Sequence, residues 1–314
     1  MATETNDLPN AVSGERREID TPSGRVAFYS AGIGTVRPPM LLVHSINAAG
    51  SAYEVRPIYE RMRASRRVYA IDLPGFGFSE RSDRPYTPDL MVGAIQSLAA
   101  LVRQECAGAA VDALALSLSS EFLARAASEW PDDYRSLALV SPTGFDKRAP
   151  YLEPPGTTRA KPAFYKTLRF PLWDRGFFSL LTSRPSIRFF LEKTWGSKNI
   201  DEGLFEYDYR TTHQPGARFA PYYFVSGYLF SLDITRVYEA LTMPVWLAHG
   251  VKGDFQDYSY AAHFAGRPNW TVTEFPTGAL PQFEVLDDFL AAYAAFLEPA
   301  PGPAAPVAQD VNGK

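Results

Sequence analysis

The chain has 314 residues, of which 46% are hydrophobic and 21% charged, a composition typical of a soluble globular protein. Its net charge of −4 and its pI near 5.7 argue against nucleic acid as the main partner. Cys106 is the single cysteine, so an internal disulfide and a cysteine-rich metal site are excluded, and we expect a half-buried thiol there.

Both ends of the chain are predicted to lie outside the folded core. Residues 1–14 are polar and are expected to be disordered, without the apolar stretch of a signal peptide. Residues 299–314 are rich in Pro and Ala and bury too little apolar surface to offset their ordering entropy, so they are also expected to be disordered. No run reaches about 18 apolar residues, so no spanning helix is expected and the predicted location is cytoplasmic.

Between these ends, short apolar strands alternate with amphipathic helices. The helix TPDLMVGAIQSLAALVRQE begins with Thr87 as a predicted N-cap and Pro88 at the first helical position. In chain order, the predicted strands are RVAFYSAG, PMLLVHS, RRVYAIDLPG, AVDALALS, SLALVSPTG, MPVWLAHG and NWTVTEFP. Repeated βα units predict an α/β fold with a mostly parallel central sheet, helices on both faces, and ligands at the carboxyl ends of the strands.

One segment interrupts this alternation. Residues 147–241 show helical and aromatic patterns without a clear strand pair, and we expect a helical cap over the strand ends. The core is then predicted to comprise residues 15–146 and 242–298.

Five stretches of this core, in the correct order, resemble the α/β-hydrolase superfamily. They are LLVHSINAAGSAYEVRP at 41–57, YAIDLPGFGFSERSD at 69–83, DALALSLSSEF at 112–122, PVWLAHGVKGD at 244–254 and FPTGALPQFEVLDDFLAAYAAFL at 275–297. The resemblance implies an α/β-hydrolase fold that belongs to a capped, serine-hydrolase-like branch. It implies no cofactor and no metal.

The third stretch occupies the place of the nucleophile elbow, where the family carries G-x-S-x-G. Here Ala115 and Ser119 replace the two glycines, and both are small enough for the tight strand-to-helix turn. The resemblance makes Ser117 the candidate nucleophile, with the N–H groups of Leu118 and Ile46 as the expected oxyanion hole and that of Asn47 as an alternative donor. Because the elbow carries a serine, the haloalkane dehalogenase and epoxide hydrolase activities, which use an aspartate there, are not expected.

The candidate acid follows the strand PVWLAHG. Asp254 fits the family position best. Asp257, one helical turn later, is one alternative, and Asp146 is another, since some members of the superfamily place the acid one strand earlier. The carboxylate would orient and stabilise the charged base.

The base position lacks its histidine. PTGALPQFE aligns with the family pattern P-x-x-G-H-x-P-x-x-E, which places Ala279 or Leu280 at the base, and neither side chain carries a proton. A structural role is predicted for His44 and for His263, and a substrate contact from the cap is open for His213. His249, close to the predicted acid, is the alternative base, whereas Glu121 is expected to be a cap or helix-surface group.

The predicted cap contains an unusual mixture of aromatic and basic residues. Between residues 161 and 198 there are nine aromatic residues, eight Lys or Arg and two acids, so the local charge is 8 − 2 = +6. Three interpretations are open: a hydrophobic substrate tunnel with a basic mouth, a face that lies on an anionic membrane, or a small cap core with a solvated rim. A second aromatic run, APYYFVSGYLF at 220–230, favours a hydrophobic small-molecule substrate.

Two functions are therefore predicted from the sequence. The first is a serine-type hydrolase of a hydrophobic ester, thioester or related carbonyl compound, with a degenerate or relocated triad. The second is a non-hydrolytic member of the superfamily, a ligand-binding or scaffold protein with a possible membrane-surface contact.

Overall fold

The computed structural model describes residues 8–32, 37–146, 150–253 and 257–298. Within these residues, eight strands form one sheet in the order β1-β2-β4-β3-β5-β6-β7-β8. The strands are β1 (Glu15–Thr21), β2 (Gly24–Ala31), β3 (Met40–Val43), β4 (Val68–Ile71), β5 (Val111–Leu116), β6 (Tyr134–Val140), β7 (Val245–Gly250) and β8 (Trp270–Phe275). The β1–β2 and β2–β4 pairs are antiparallel and the other pairs are parallel, so the prediction of a mostly parallel sheet is confirmed.

Helices cover both faces of the sheet. They are α1 (Arg56–Met62), α2 (Pro88–Glu105), α3 (Ser119–Glu129), α4 (Pro162–Leu168), α5 (Asp174–Leu181), α6 (Arg184–Trp195), α7 (Glu202–Thr212), α8 (Phe219–Val225), α9 (Ile234–Ala240), α10 (Ala261–Ala265), α11 (Pro281–Glu284) and α12 (Leu286–Leu297). One hydrophobic cluster joins the sheet to α2, α3, α9 and α10, and a second cluster joins the opposite face to α1, α6, α7 and α12. Strand β3 is buried along its whole length, as its continuous apolar run predicts, and β5 and β7 are also buried throughout.

The N-terminal segment differs from the expectation. Residues 1–7 lie outside the described residues, but Leu8, Ala11 and Val12 are buried in the second cluster. Strand β1 follows as a mostly exposed antiparallel edge strand, which the sequence analysis missed because its charged sequence ERREIDT shows no apolar alternation. Residues 8–14 therefore belong to the packed structure. The tail 299–314 lies outside the described residues.

Helices α4 to α9 lie between β6 and β7. Thr158 and Ser231 form an isolated antiparallel bridge across this segment, and Leu168, Phe178, Ala217 and Tyr222 form a small separate core in it. Across the described ranges, no helix is both long and apolar enough to cross a membrane.

Candidate functional site

Ser117 lies in the turn between β5 and α3. Its φ is 51°, and among the described residues only two others besides glycine, Ala107 and Ser141, have a positive φ. Its N–H donates to the Val140 carbonyl oxygen of the neighbouring strand β6 (2.8 Å). A left-handed serine at a strand-to-helix turn has the backbone geometry of a nucleophile elbow.

The flanking residues allow this turn to be tight. Ala115 and Ser119 are completely buried, whereas Ser117 itself is partly exposed. Larger side chains at the two buried positions would collide with the surrounding core. Ala and Ser therefore serve the spatial role that glycine plays in the family pattern.

Two backbone N–H groups near the elbow have no acceptor. Within the described residues, the N–H groups of Ile46 and Leu118 donate to no protein oxygen, and both residues are almost completely buried. Unpaired N–H groups are rare in a protein interior, because a buried donor without a partner costs free energy. These are the two N–H groups that the family resemblance indicates for the oxyanion hole.

A buried carboxylate shapes the loop after β3. Glu54 accepts hydrogen bonds from the Ser45 N–H (2.6 Å), the Ser45 hydroxyl (3.0 Å) and the Asn47 side-chain amide (2.7 Å). These hydrogen bonds fix Ser45 and Asn47, the residues on either side of Ile46. The sequence analysis did not identify Glu54, because a glutamate in a helical pattern resembles any surface residue. Its only other sequence feature, a position nine residues after Ser45, does not indicate burial.

His44 connects two loops and has no free nitrogen. Its Nε2 accepts the N–H of Leu73 (2.9 Å), and its Nδ1 lies 2.6 Å from the Ser45 carbonyl oxygen. The first bond requires an unprotonated Nε2, so Nδ1 carries the proton and donates to that oxygen. His44 therefore braces the loops after β3 and β4.

The loop after β8 contains no proton acceptor at the family base position. The N–H of Ala279 donates to the Thr194 carbonyl oxygen in α6 (2.9 Å), and its own carbonyl oxygen accepts the Ser141 hydroxyl (2.7 Å). Leu280 is buried. The loop is thus well ordered by hydrogen bonds, but it presents a methyl group where the family has an imidazole.

The other histidines have different surroundings. His249, at the end of β7, is buried and stacks on Tyr258 with ring centroids 4.0 Å apart. Its Nδ1 lies 2.9 Å from the Gly250 carbonyl oxygen, and among the described residues its Nε2 has no hydrogen-bond partner, although the Glu274 carboxylate lies 3.8 Å away. His213 and His263 are exposed and bind Tyr209 and Glu239 respectively. Among the described residues, no histidine is hydrogen-bonded to Ser117.

The three candidate acids are not equivalent. Asp254 lies outside the described residues. Asp257 is exposed and accepts the Ser259 hydroxyl (2.5 Å), and Asp146 accepts the Tyr151 hydroxyl (3.0 Å). Asp257 and Asp146 therefore each accept a hydrogen bond from a residue nearby in the sequence.

Glu121 is not a surface group, contrary to the expectation. It lies one helical turn after Ser117 and is fully buried, where it accepts hydrogen bonds from the Thr143 hydroxyl and the Ser231 N–H (2.9 Å). Burial raises the pKa of Glu121 to about 7, although these hydrogen bonds and nearby Arg159 act in the opposite direction. Sequence position could not show this, because the burial comes from the cap and the loop after β6.

A surface groove of about 400 Å³ lies away from the elbow and does not include Ser117. Gln282 is its most buried lining residue; the others are Tyr53, Arg56, Pro57, Glu60, Arg61, Asp201, Phe283 and Leu286. We place the candidate site at Ser117 instead, because backbone strain and unpaired donors coincide there. Within the described residues, no cluster of three His, Cys, Asp or Glu side chains could hold a metal ion.

The strand order and the elbow agree with a comparison against protein families. Residues 40–307 match the model of the alpha/beta hydrolase family. The chain belongs to this family. A search of curated protein sequences found no match.

Solved structures share the fold at low sequence identity. A probable hydrolytic enzyme from Pseudomonas aeruginosa PAO1 superposes with a TM-score of 0.70 at 20% identity, over 92% of this chain and 96% of that one. A serine hydrolase involved in carbazole degradation gives 0.67 at 15% identity, with 91% and 99% covered. The enol-lactonase from Burkholderia xenovorans LB400 gives 0.68 at 14% identity, with 90% and 99% covered.

Proposed function

We propose that this alpha/beta hydrolase is a serine-type hydrolase of a hydrophobic ester, thioester or related carbonyl compound. The observation that carries the proposal is the left-handed Ser117 beside two buried N–H groups without acceptors, those of Ile46 and Leu118. In acyl transfer, the serine oxygen attacks the carbonyl carbon, and the carbonyl oxygen gains negative charge that such donors stabilise. The N–H groups are already desolvated before substrate binds.

The proposed chemistry is slow, because Ser117 lacks an assigned base. The serine proton needs an acceptor during attack, and the leaving group needs a donor afterwards. Ala279 and Leu280 supply neither, and His249 is stacked on Tyr258. We retain Asp254 as the proposed acid, since Asp257 and Asp146 have other partners. Loss of a triad member typically lowers the rate by several orders of magnitude.

The structural neighbours support this class of reaction by similarity. They include a serine hydrolase, a thermophilic esterase from Thermogutta terrifontis and an enol-lactonase, and the last two are named for ester and lactone substrates. The aromatic content of the segment between β6 and β7 supports a hydrophobic substrate.

Covalent labelling tests the nucleophile directly. A fluorophosphonate probe is expected to label the wild-type protein slowly at Ser117, and Ser117→Ala should abolish labelling because the reacting oxygen is gone. Ser65→Ala, at a partly buried serine after α1, is the matched control and should label like wild type. Mass spectrometry locates the adduct. Absent labelling, together with ester hydrolysis that Ser117→Ala does not lower, would exclude the proposal.

The second candidate is a carbonyl-binding protein without hydrolytic activity. The alanine at the base position favours it, because an intact oxyanion hole binds carbonyl compounds without a base. Ala279→His separates the candidates. If the wild type turns over p-nitrophenyl esters and the variant gains roughly 100-fold or more over Ala279→Gln, the hydrolase is supported. If both wild type and Ala279→His are inactive yet a carbonyl ligand binds, the second candidate is correct.

A further inference from the structure

The link between α4 and α5, together with α5 and α6, carries large apolar side chains that the described residues leave exposed. Leu172 is 82% exposed, Leu180 69% and Phe189 53%. Phe170, Trp173 and Phe190 are also exposed by almost half of their surface. We call these six residues the apolar face. Single exposed leucines are ordinary in proteins, but residues 170–190 expose seven large apolar side chains, these six and Phe177, which is unusual.

The apolar face is not the rim of an incomplete core. The same helices bury a separate row of residues, with Leu168 and Phe178 in the small core of the cap and Ile187 and Leu191 packed toward the sheet. A helix on a protein surface normally directs polar residues away from its core. Here the exposed side carries large apolar residues as well. Such a surface is typical of one that binds a second apolar partner.

The charges around the apolar face indicate the nature of this partner. Lys161, Lys166, Arg175 and Lys198 are exposed, and none has an ion pair among the residues that the structure describes. Three arginines of the same segment do pair with acids, Arg169 with Asp83 and Asp174, Arg184 with Glu206 and Arg188 with Glu202. Four nearby acids are therefore engaged with these arginines, while the four cations without an ion pair among the described residues are exposed to an external anion.

We propose that the apolar face docks on the surface of an anionic lipid membrane. The leucine and aromatic side chains enter the boundary between headgroups and acyl chains, and the four unpaired cations lie at the level of the lipid phosphates. A symmetric dimer through this face would instead bring the cations of two copies together, because a twofold interface presents the same patch from both sides. The protein would lie on one leaflet, consistent with the lack of a spanning helix in the described ranges.

Vesicle sedimentation tests this proposal with the full chain. The wild type is expected to pellet with phosphatidylcholine vesicles that contain phosphatidylglycerol and to stay in solution with phosphatidylcholine alone. Added salt should weaken binding, because it screens the cations from the headgroups. Leu172→Ser and Leu180→Ser should each weaken binding about tenfold, since each removes a buried leucine side chain. Lys166→Ala and Arg175→Ala should each weaken it roughly fivefold.

Trp130→Ser is the matched control. Trp130 is exposed to a similar degree as Trp173 but lies after α3, outside the cap, so this variant should bind vesicles like wild type. Equal pelleting of wild type and the Leu172→Ser/Leu180→Ser double variant would overturn the proposal. So would a concentration-dependent dimer in sedimentation velocity that the double variant abolishes, without vesicle binding. Fluorophosphonate labelling of Ser117 is independent of both outcomes, so failure here leaves the proposed hydrolase untouched.

Discussion

At the residue scale, Glu121 connects the elbow helix α3 to two neighbouring segments by hydrogen bonds. It accepts one hydrogen bond from Thr143 in the loop after β6 and one from Ser231 in the segment between β6 and β7. Because the carboxyl group is buried, its protonated form is favoured and its pKa rises from 4.5 to about 7. A group at the centre of three structural elements therefore changes its charge near neutral pH.

This raised pKa predicts a pH dependence of stability. The folded protein holds the Glu121 proton more tightly than the unfolded chain, so this contribution to stability is complete below about pH 4.5 and is lost as the pH rises through about 7. The free energy of unfolding should fall by up to about 3 kcal/mol over this window. Urea denaturation of Glu121→Gln at pH 5 and pH 8 should show a smaller fall than in wild type.

Glu18→Gln, an exposed substitution in β1, is the control for this measurement and should keep the wild-type pH dependence. If Glu121→Gln falls as steeply as wild type between the two pH values, Glu121 is not the titrating group.

At the scale of elements, a buried carboxylate joins the strands at the end of the sheet opposite the elbow. Asp112, near the start of β5, accepts hydrogen bonds from Arg66 before β4 and, within β6, from Arg135 (2.6 Å) and the Ser136 hydroxyl (2.6 Å). Asp112 is completely buried. One side chain thus connects three elements whose order along the sheet is otherwise set by apolar packing.

Removal of Asp112 should be strongly destabilising. Asp112→Ala leaves the buried guanidinium of Arg66 without its partner, and breaking a buried ion pair from one side typically costs about 3–5 kcal/mol. Asp287→Ala removes a carboxylate that pairs with Arg61 but is 83% exposed, so its cost should stay below about 1 kcal/mol. Chemical denaturation of both variants measures the loss of unfolding free energy in each. Equal small losses would mean that apolar packing alone aligns these strands.

At the scale of the whole molecule, the end of α6 rests directly on the loop after β8. Gly278 lies so close to α6 that an added Cβ would come within 2.6 Å of the Trp195 backbone and would also collide with the Thr194 carbonyl oxygen. The next residue, Ala279, donates its N–H to Thr194. The segment between β6 and β7 therefore contacts the core at the position where the family carries its base.

This backbone contact predicts the effect of a methyl group. Gly278→Ala should lower the free energy of unfolding by about 1–3 kcal/mol, because α6 must move away to accommodate the Cβ. Gly266→Ala is the matched control: nothing lies within 4 Å of its added Cβ, and stability should change little. Thermal unfolding measures both, and limited proteolysis of residues 162–198 reports whether α6 loosens. Equal melting temperatures of the two variants would show that α6 and the loop after β8 accommodate the added methyl group without loss of stability.

Much of this architecture could be predicted from the sequence, and the features that were missed have no local sequence pattern. A continuous apolar run predicted β3, the strands β5 and β7 were predicted as well, and Thr87 caps α2 as its Thr-Pro pair indicates. Strand β1 and the packing of residues 8–12 were missed, because an edge strand of charged residues has no apolar pattern. Glu54, Asp112 and Glu121 were missed as buried groups, because their partners are distant in the sequence.

The sequence by itself indicated the family, the positions along the chain of strands β2 to β8 and the chemical fact that Ala279 cannot accept a proton, since these depend on local patterns and residue identity. Only the tertiary structure decided which backbone and side-chain groups are buried, exposed or hydrogen-bonded. Within the described residues it left the N–H groups of Ile46 and Leu118 without acceptors, buried Glu121, and left Leu172, Leu180 and Phe189 exposed. Burial and hydrogen bonding are properties of contacts between distant segments, and no local pattern of residues specifies them.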